Sequence, residues 1–132
     1  SSTSRGLGDV YKRQVQLHVQ VDPVALPIEV ALPCGMIVCE LVTNVLKHGF
    51  PAGRGGEAHI AVRRSGDRVE LRVDDNGIGF PSGFDWRTSE TFGWELLRTL
   101  VLQIDGALEV TGGDGAHVRV SFPVPKAQEV EA

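Results

Sequence analysis

The stretch EVALPCGMIVCELVTNVLKH, Glu29–His48, limits the possible folds more than any other part of the chain. Wound as a helix at about 100° per residue, it gathers Cys34, Ile37, Val38, Leu41, Val42 and Val45 into one broad apolar face. Glu40, Thr43, Asn44 and Lys47 fall together on the other side, within about 100° of arc. A helix of this kind is a core element. Pro33 is expected in its first turn, where a missing N–H does no harm. Gly49-Phe50-Pro51 stops it, and Gly53-Arg54-Gly55-Gly56 reads as a loop.

The flanking segments supply strands. Val15, Leu17, Val19 and Val21 alternate with polar residues, the pattern of a half-buried strand. Two further strand patterns, His59–Arg64 and Arg68–Asp74, are joined by the hairpin turn Ser65-Gly66-Asp67. Residues 81–92 are polar and irregular. A second helix is expected over Trp94–Ile104, where Trp94, Leu97, Val101 and Ile104 recur at helical spacing. Strands Leu108–Thr111 and His117–Phe122 come next, around Gly112-Gly113-Asp114-Gly115. The order β, α, β, β, loop, α, β, β predicts an α+β fold: a two-layer sandwich of one mixed, mostly antiparallel sheet with helices on one face.

A length of 132 residues suits one domain, residues 15–125, whose 42% hydrophobic content is that of a globular chain. Residues 1–14, without clear period, are expected to be a non-native or disordered leader, and 126–132 a disordered tail. The net charge of −4 argues against a nucleic-acid partner, whose phosphates need clustered Lys and Arg. No apolar run is expected to reach the length of a membrane span. Cys34 and Cys39 match neither a zinc pair nor a redox pair and are expected to be small buried hydrophobes in a reducing compartment.

Two polar clusters stand out. Spacing stacks Glu40, Asn44 and Lys47 in a column bordered by His48. This is either a solvated helix face or a grip for a metal–phosphate pair. In the second case one amide oxygen on Mg²⁺ and one ammonium on phosphate suffice, and Glu40 orients Asn44 or accepts a proton. The other cluster is VDDNGIGF, Val73–Phe80, in which a strand runs into two carboxylates, an amide and two glycines. Asn76-Gly77 is a strong turn dipeptide. An EF-hand is excluded because Arg72 stands at the first ligand position, and no Walker motif occurs. The alternative to a plain turn is a strand-end carboxylate, Asp75, that accepts from an exocyclic amine beside glycines that admit a flat ligand.

Taken together, these motifs resemble the ATP-binding domain of bacterial sensor histidine kinases, which belongs to the superfamily shared with gyrase and MutL. ELVTNVLKHGFP (Glu40–Pro51) is similar to its N box, and DDNGIGFP (Asp74–Pro81) to its first glycine box. TFGWELLRTLVLQIDGALEV (Thr91–Val110) resembles the second glycine box with the helix and strand after it. GAHVRVSFP (Gly115–Pro123) resembles the final strand. The resemblance implies a Bergerat-type ATPase fold with ATP and Mg²⁺ as cofactors. Asn44 would hold Mg²⁺, Lys47 and His48 would contact phosphate, and Asp75 would bind the adenine amino group. Gly77, Gly79 and Phe80 would shape that pocket, with Ala116 on the adenine side. Gly93 and Trp94 would open the second helix toward the phosphates, and Glu40 and Asn44 would be the catalytic pair. Residues 82–92 would be the lid.

The implied reaction is phosphoryl transfer to a histidine on a dimerisation domain outside this chain, and then onward to a response regulator, in the cytoplasm. Two other readings share the pattern: a protein serine kinase of the anti-sigma-factor type, and a degenerate nucleotide-binding scaffold. Cys39, Glu90, Trp94 and Ala116 depart from the family pattern. Glu90 matters most, because a carboxylate beside a triphosphate would oppose binding.

Overall fold

The computed structural model describes residues 14–126. In chain order the elements are β1 (Val15–Val21), α1 (Ile28–Asn44), β2 (Gly56–Ser65), β3 (Arg68–Asp75), α2 (Phe92–Gln103), β4 (Ala107–Thr111) and β5 (His117–Pro123). The strands form one sheet in the order β1-β2-β3-β5-β4. β1 pairs with β2 in parallel, and every other pairing is antiparallel. This is the expected mixed sheet.

Strand alternation divides the sheet into an apolar and a polar face. Val69, Leu71 and Val73 of β3 are buried, as are Val118, Val120 and Phe122 of β5. They form one core with Ile37 and Leu41 of α1 and Leu97, Leu100 and Val101 of α2, so both helices cover the same face. The intervening residues, among them Arg72, Asp74, His117 and Arg119, lie on the polar face, on which Arg72 pairs with Glu70 and Asp74 along β3 and Arg119 of β5 pairs with Glu70 across the strands.

Several expectations need correction. β1 is not half-buried: Leu17, Val19 and Val21 are exposed, because neither helix reaches over this edge strand. β2 begins at Gly56, inside the expected loop, and α2 begins two residues early, at Phe92. α1 starts at Ile28, so Pro33 falls past the first turn, buried inside the helix. The long helix together with its continuation, Ile28–Gly49, is 22 residues long and contains an 18-residue window with a mean hydropathy of 1.6. Its length and composition therefore do suffice for a membrane span, although Ile37, Leu41 and Val45 pack into the core. Cys34 is half-buried, with burial raising its thiol pKa, but Cys39 is exposed rather than core. Gln14, assigned to the leader, accepts a hydrogen bond on its carbonyl from the Gly56 N–H. The rest of the leader and residues 127–132 lie outside the described residues.

Candidate functional site

A cavity of about 620 Å³ opens between α1, α2, the end of β3 and the loop after that strand. Ten of the eleven site residues expected from sequence line it: Glu40, Asn44, Lys47, His48, Asp75, Gly79, Phe80, Gly93, Trp94 and Ala116. Gly77 does not line it and instead closes the wall behind Asp75.

Asp75 ends β3 on the apolar face and is 4% exposed, the one buried charged residue among the described residues. Its Oδ1 accepts the Gly77 N–H at 2.8 Å and the Ala116 N–H at 3.3 Å. A buried carboxylate needs such donors to remain in place. Both go to Oδ1, which leaves Oδ2 for a ligand. The turn is built around this arrangement. A side chain on Gly77 would run into the Gly49 carbonyl, and one on Gly115 into the Asp75 backbone. The Gly49 carbonyl accepts the Ile78 N–H at 2.9 Å, tying the end of the helical segment to the glycine turn. Asn76 points the other way, its Oδ1 accepting the Glu57 N–H at 2.8 Å. The stretch Asp75-Asn76-Gly77 is therefore both a turn and one wall of a pocket.

The opposite wall is the polar column of α1. At Val45–Gly49 the helix widens into a π-helical turn that carries Lys47 and His48, both exposed at the cavity. Such turns recur at functional positions because they redirect side chains that a regular helix would fix elsewhere. Asn44 stands at the junction. Its Nδ2 is buried without a hydrogen-bond acceptor, an uncommon state for an amide. A 180° rotation of the amide exchanges its oxygen and nitrogen, so no partner among the described residues fixes which of the two is buried. Thr43, by contrast, spends its hydroxyl on the Cys39 carbonyl at 2.7 Å.

The start of α2 closes the third side. Thr91 is its N-cap but makes no capping bond, and its hydroxyl pairs with Ser89 at 3.1 Å. The first N–H groups of the helix, at Phe92, Gly93 and Trp94, thus lack a side-chain acceptor at a cavity wall. Gly93 is needed there: a Cβ would lie 3.0 Å from Glu40 Oε1 and 3.8 Å from Asn44 Oδ1. Glu90 is exposed and does not line the cavity, so the feared repulsion is directed into solvent.

The irregular segment between β3 and α2 is held by aromatic packing. Phe80 and Phe84 stack at 4.9 Å, and both meet Trp94, at 6.0 and 5.4 Å. Arg98 of α2 donates to the Trp86 carbonyl at 2.6 Å. Sequence reasoning missed Phe84, Ser89 and Thr91 as lining residues, and missed Gly115. An aromatic at a four-residue interval from Phe80 was the available signal for Phe84.

A mixed five-stranded sheet covered by two helices, with a strand-end acid facing an uncapped helix start across a cavity, defines an α+β sandwich of ATPase type. The chain belongs to the histidine kinase-, DNA gyrase B-, and HSP90-like ATPase family, whose model matches residues 29–126. Within that family it is a domain of the histidine-kinase kind. It is 32% identical over 120 residues to blue-light-activated histidine kinase 2 of Erythrobacter litoralis, covering 89% of this chain and 35% of that protein. It is 39% identical over 92 residues to the sensor histidine kinase PdtaS of Mycobacterium tuberculosis, covering 68% of this chain and 18% of that protein. The histidine kinase domain of the Erythrobacter litoralis EL346 blue-light-activated kinase superposes with a TM-score of 0.80 at 29% identity, covering 92% of this chain and 58% of that one. The chain therefore spans about a third of the first of these relatives and less than a fifth of the second.

Proposed function

We propose that this domain binds ATP with Mg²⁺ in the 620 Å³ cavity and presents the γ-phosphoryl group to a histidine supplied by another segment of a longer sensor kinase. The observation that carries this reading is the convergence of Asp75 and Asn44, from β3 and α1, on one cavity. Asp75 Oδ2 accepts from the adenine amino group, a match that an ionised carboxylate makes with an amine and not with a keto oxygen. Gly77, Gly79 and Phe80 shape the slot for the ring, with Ala116 at its edge. Lys47, His48 and the free N–H groups at the start of α2, around Gly93 and Trp94, take the phosphates.

The residues also suit Mg²⁺. The amide of Asn44 offers a hard oxygen beside Glu40, and magnesium needs few protein ligands when phosphates supply the rest. Bound there, the ion would neutralise phosphate charge during transfer. Glu40, next to Gly93, orients Asn44 or takes the proton from the incoming group. The segment from residue 82 to Thr91 acts as the lid over the nucleotide. The four histidines lie in β1, β2, β5 and the π-helical turn, so the phosphoacceptor is another histidine, on a helical dimerisation domain, from which a response regulator is then phosphorylated. The domain works in the cytoplasm, where its nucleotide is.

The test is a titration of the isolated domain with ATP, with and without Mg²⁺, following Trp86 and Trp94 fluorescence. Saturable, Mg²⁺-enhanced binding is expected, together with transfer of labelled γ-phosphate to an added histidine-bearing helical segment of the full-length protein. Binding without transfer would favour the scaffold reading. Transfer to a serine of a sigma factor would favour the anti-sigma-factor reading.

A further inference from the structure

The parallel register of β1 and β2 sets His18 beside His59, and strand alternation puts Glu57 on the same face two residues earlier. This is the polar face of the sheet, opposite the nucleotide cavity, since His59 pairs with Asp74 rather than with a buried residue of β3. The two imidazoles stack with centroids 4.5 Å apart and planes within 12°. Each turns its Nε2 toward the same carboxylate: His18 lies 3.7 Å from Glu57 Oε1 and His59 lies 3.8 Å from Glu57 Oε2. One ligand atom from each residue fits within a span of 4.8 Å.

We propose that His18, His59 and Glu57 form a site for a divalent d-block cation of the zinc class, distinct from the nucleotide site. Tetrahedral coordination at about 2.0–2.2 Å separates neighbouring ligand atoms by about 3.4 Å. The two imidazole–carboxylate separations need to close by only a few tenths of an ångström, and the stacked imidazoles must tilt so that both Nε2 lone pairs meet at one ion. Two imidazoles and a carboxylate select Zn²⁺, Co²⁺ or Ni²⁺ over Mg²⁺, which takes hard oxygen ligands. The geometry leaves a fourth position open to water or to a donor from another chain.

The site has a mechanical consequence. Leu17, Val19 and Val21 are exposed, so β1 gains little from the core and is held chiefly by its ladder to β2. A cation shared by His18 and His59 ties the two strands through their side chains. It thereby couples the edge strand to the sheet that carries Asp75.

The experiment titrates the domain with Co²⁺ and Zn²⁺. It reads the cobalt visible absorption and the thermal midpoint, with a Mg²⁺ titration as control. One equivalent of Co²⁺ with a tetrahedral spectrum, displaced by Zn²⁺ and not by Mg²⁺, is expected, together with a raised midpoint. His18→Gln and His59→Gln should each weaken binding more than about tenfold. Both should fold and bind ATP as the parent does, because neither side chain touches the core or the cavity. His117→Gln should leave the metal affinity unchanged. Equal cobalt affinity in the His18→Gln/His59→Gln double variant, loss of binding in His117→Gln, or no spectrum at all would each overturn the site. None of these outcomes bears on ATP binding.

Discussion

Asp75 Oδ1 accepts the N–H of Gly77 at 2.8 Å, so the residue that would hold the adenine is itself held by the turn it begins. Asp75→Asn keeps an acceptor for that bond but sets an amide N–H₂ against the adenine amine, or else breaks the turn bond. A charge-assisted hydrogen bond contributes about 1.5–3 kcal/mol, so ATP affinity should fall by roughly 10–150-fold. Calorimetry checks this, with circular dichroism to show that the sheet persists. Unchanged affinity would remove Asp75 from the adenine site.

Asn44→Ala separates function from stability. The Asn44 amide nitrogen is buried without an acceptor, and such an atom costs about 1–3 kcal/mol in the free protein. Its removal should leave urea stability unchanged or raised, while the Mg²⁺-dependent part of ATP affinity disappears. Loss of stability with metal dependence intact would mean that Asn44 is a packing residue.

Gly93→Ala tests the close approach of α2 to α1. The new Cβ would sit 3.0 Å from Glu40 Oε1, tighter than ordinary contact, and so must push the carboxylate aside. Alanine also favours a helix over glycine by up to about 1 kcal/mol. The expected result is a domain at least as stable as the parent that binds ATP·Mg²⁺ several-fold more weakly. Full retention of affinity would show that the first turn of α2 does not face the phosphates.

His117 provides a pH-dependent contribution. Its pKa is raised above the ordinary 6.5, first by the hydrogen bond from Nδ1 to Asp74, 2.7 Å long, against a smaller lowering by burial, with the Asp114 carbonyl and the charges of Asp74 and Asp75 adding to the rise. Arg72, paired with Asp74 at 3.7 Å, competes for the same carboxylate. A raised folded-state pKa stabilises the native state fully below about 6.5 and loses that contribution as pH climbs through the folded value. The stability difference between the parent and Asp74→Asn should therefore be larger at pH 5.5 than at pH 8.5. Because the pair is partly solvated, the effect is modest and should shrink in high salt. A difference that grows with pH would contradict the assignment.

The parts of the fold that depend on alternation and helical period were legible, because burial on one face imposes them. The hairpin at Gly66-Asp67, the core set of β3 and the apolar face of α1 all obey that rule. What period cannot show is whether a partner covers a given face. β1 alternates as a buried strand does, yet Leu17, Val19 and Val21 stand exposed at the sheet edge. The site residues converged because their motifs lie at element ends that the topology brings together: the end of β3, the π-helical turn after α1 and the start of α2. Glu90 could not be placed from sequence, since its direction depends on how Phe80, Phe84 and Trp94 pack the loop.

That packing leads to the final prediction. The Arg98 guanidinium donates to the Trp86 carbonyl at 2.6 Å in a partly buried setting, joining the middle of the irregular segment to the second turn of α2. The same segment lines the cavity through Phe84 and Ser89. Arg98→Ala removes a charged donor and leaves the carbonyl to water, at a cost of about 1.5 kcal/mol, the lower end for a hydrogen bond to a charged group. Because the aromatic cluster still holds Phe84 against Trp94, the domain should fold while the stretch around Trp86 loosens. Faster hydrogen exchange confined to residues 82–91, a red-shifted tryptophan emission and ATP affinity lowered several-fold are expected together. If exchange rises across the whole sheet instead, Arg98 supports the core and not the lid. If exchange rises only in the loop while ATP affinity holds, the segment does not close over the nucleotide.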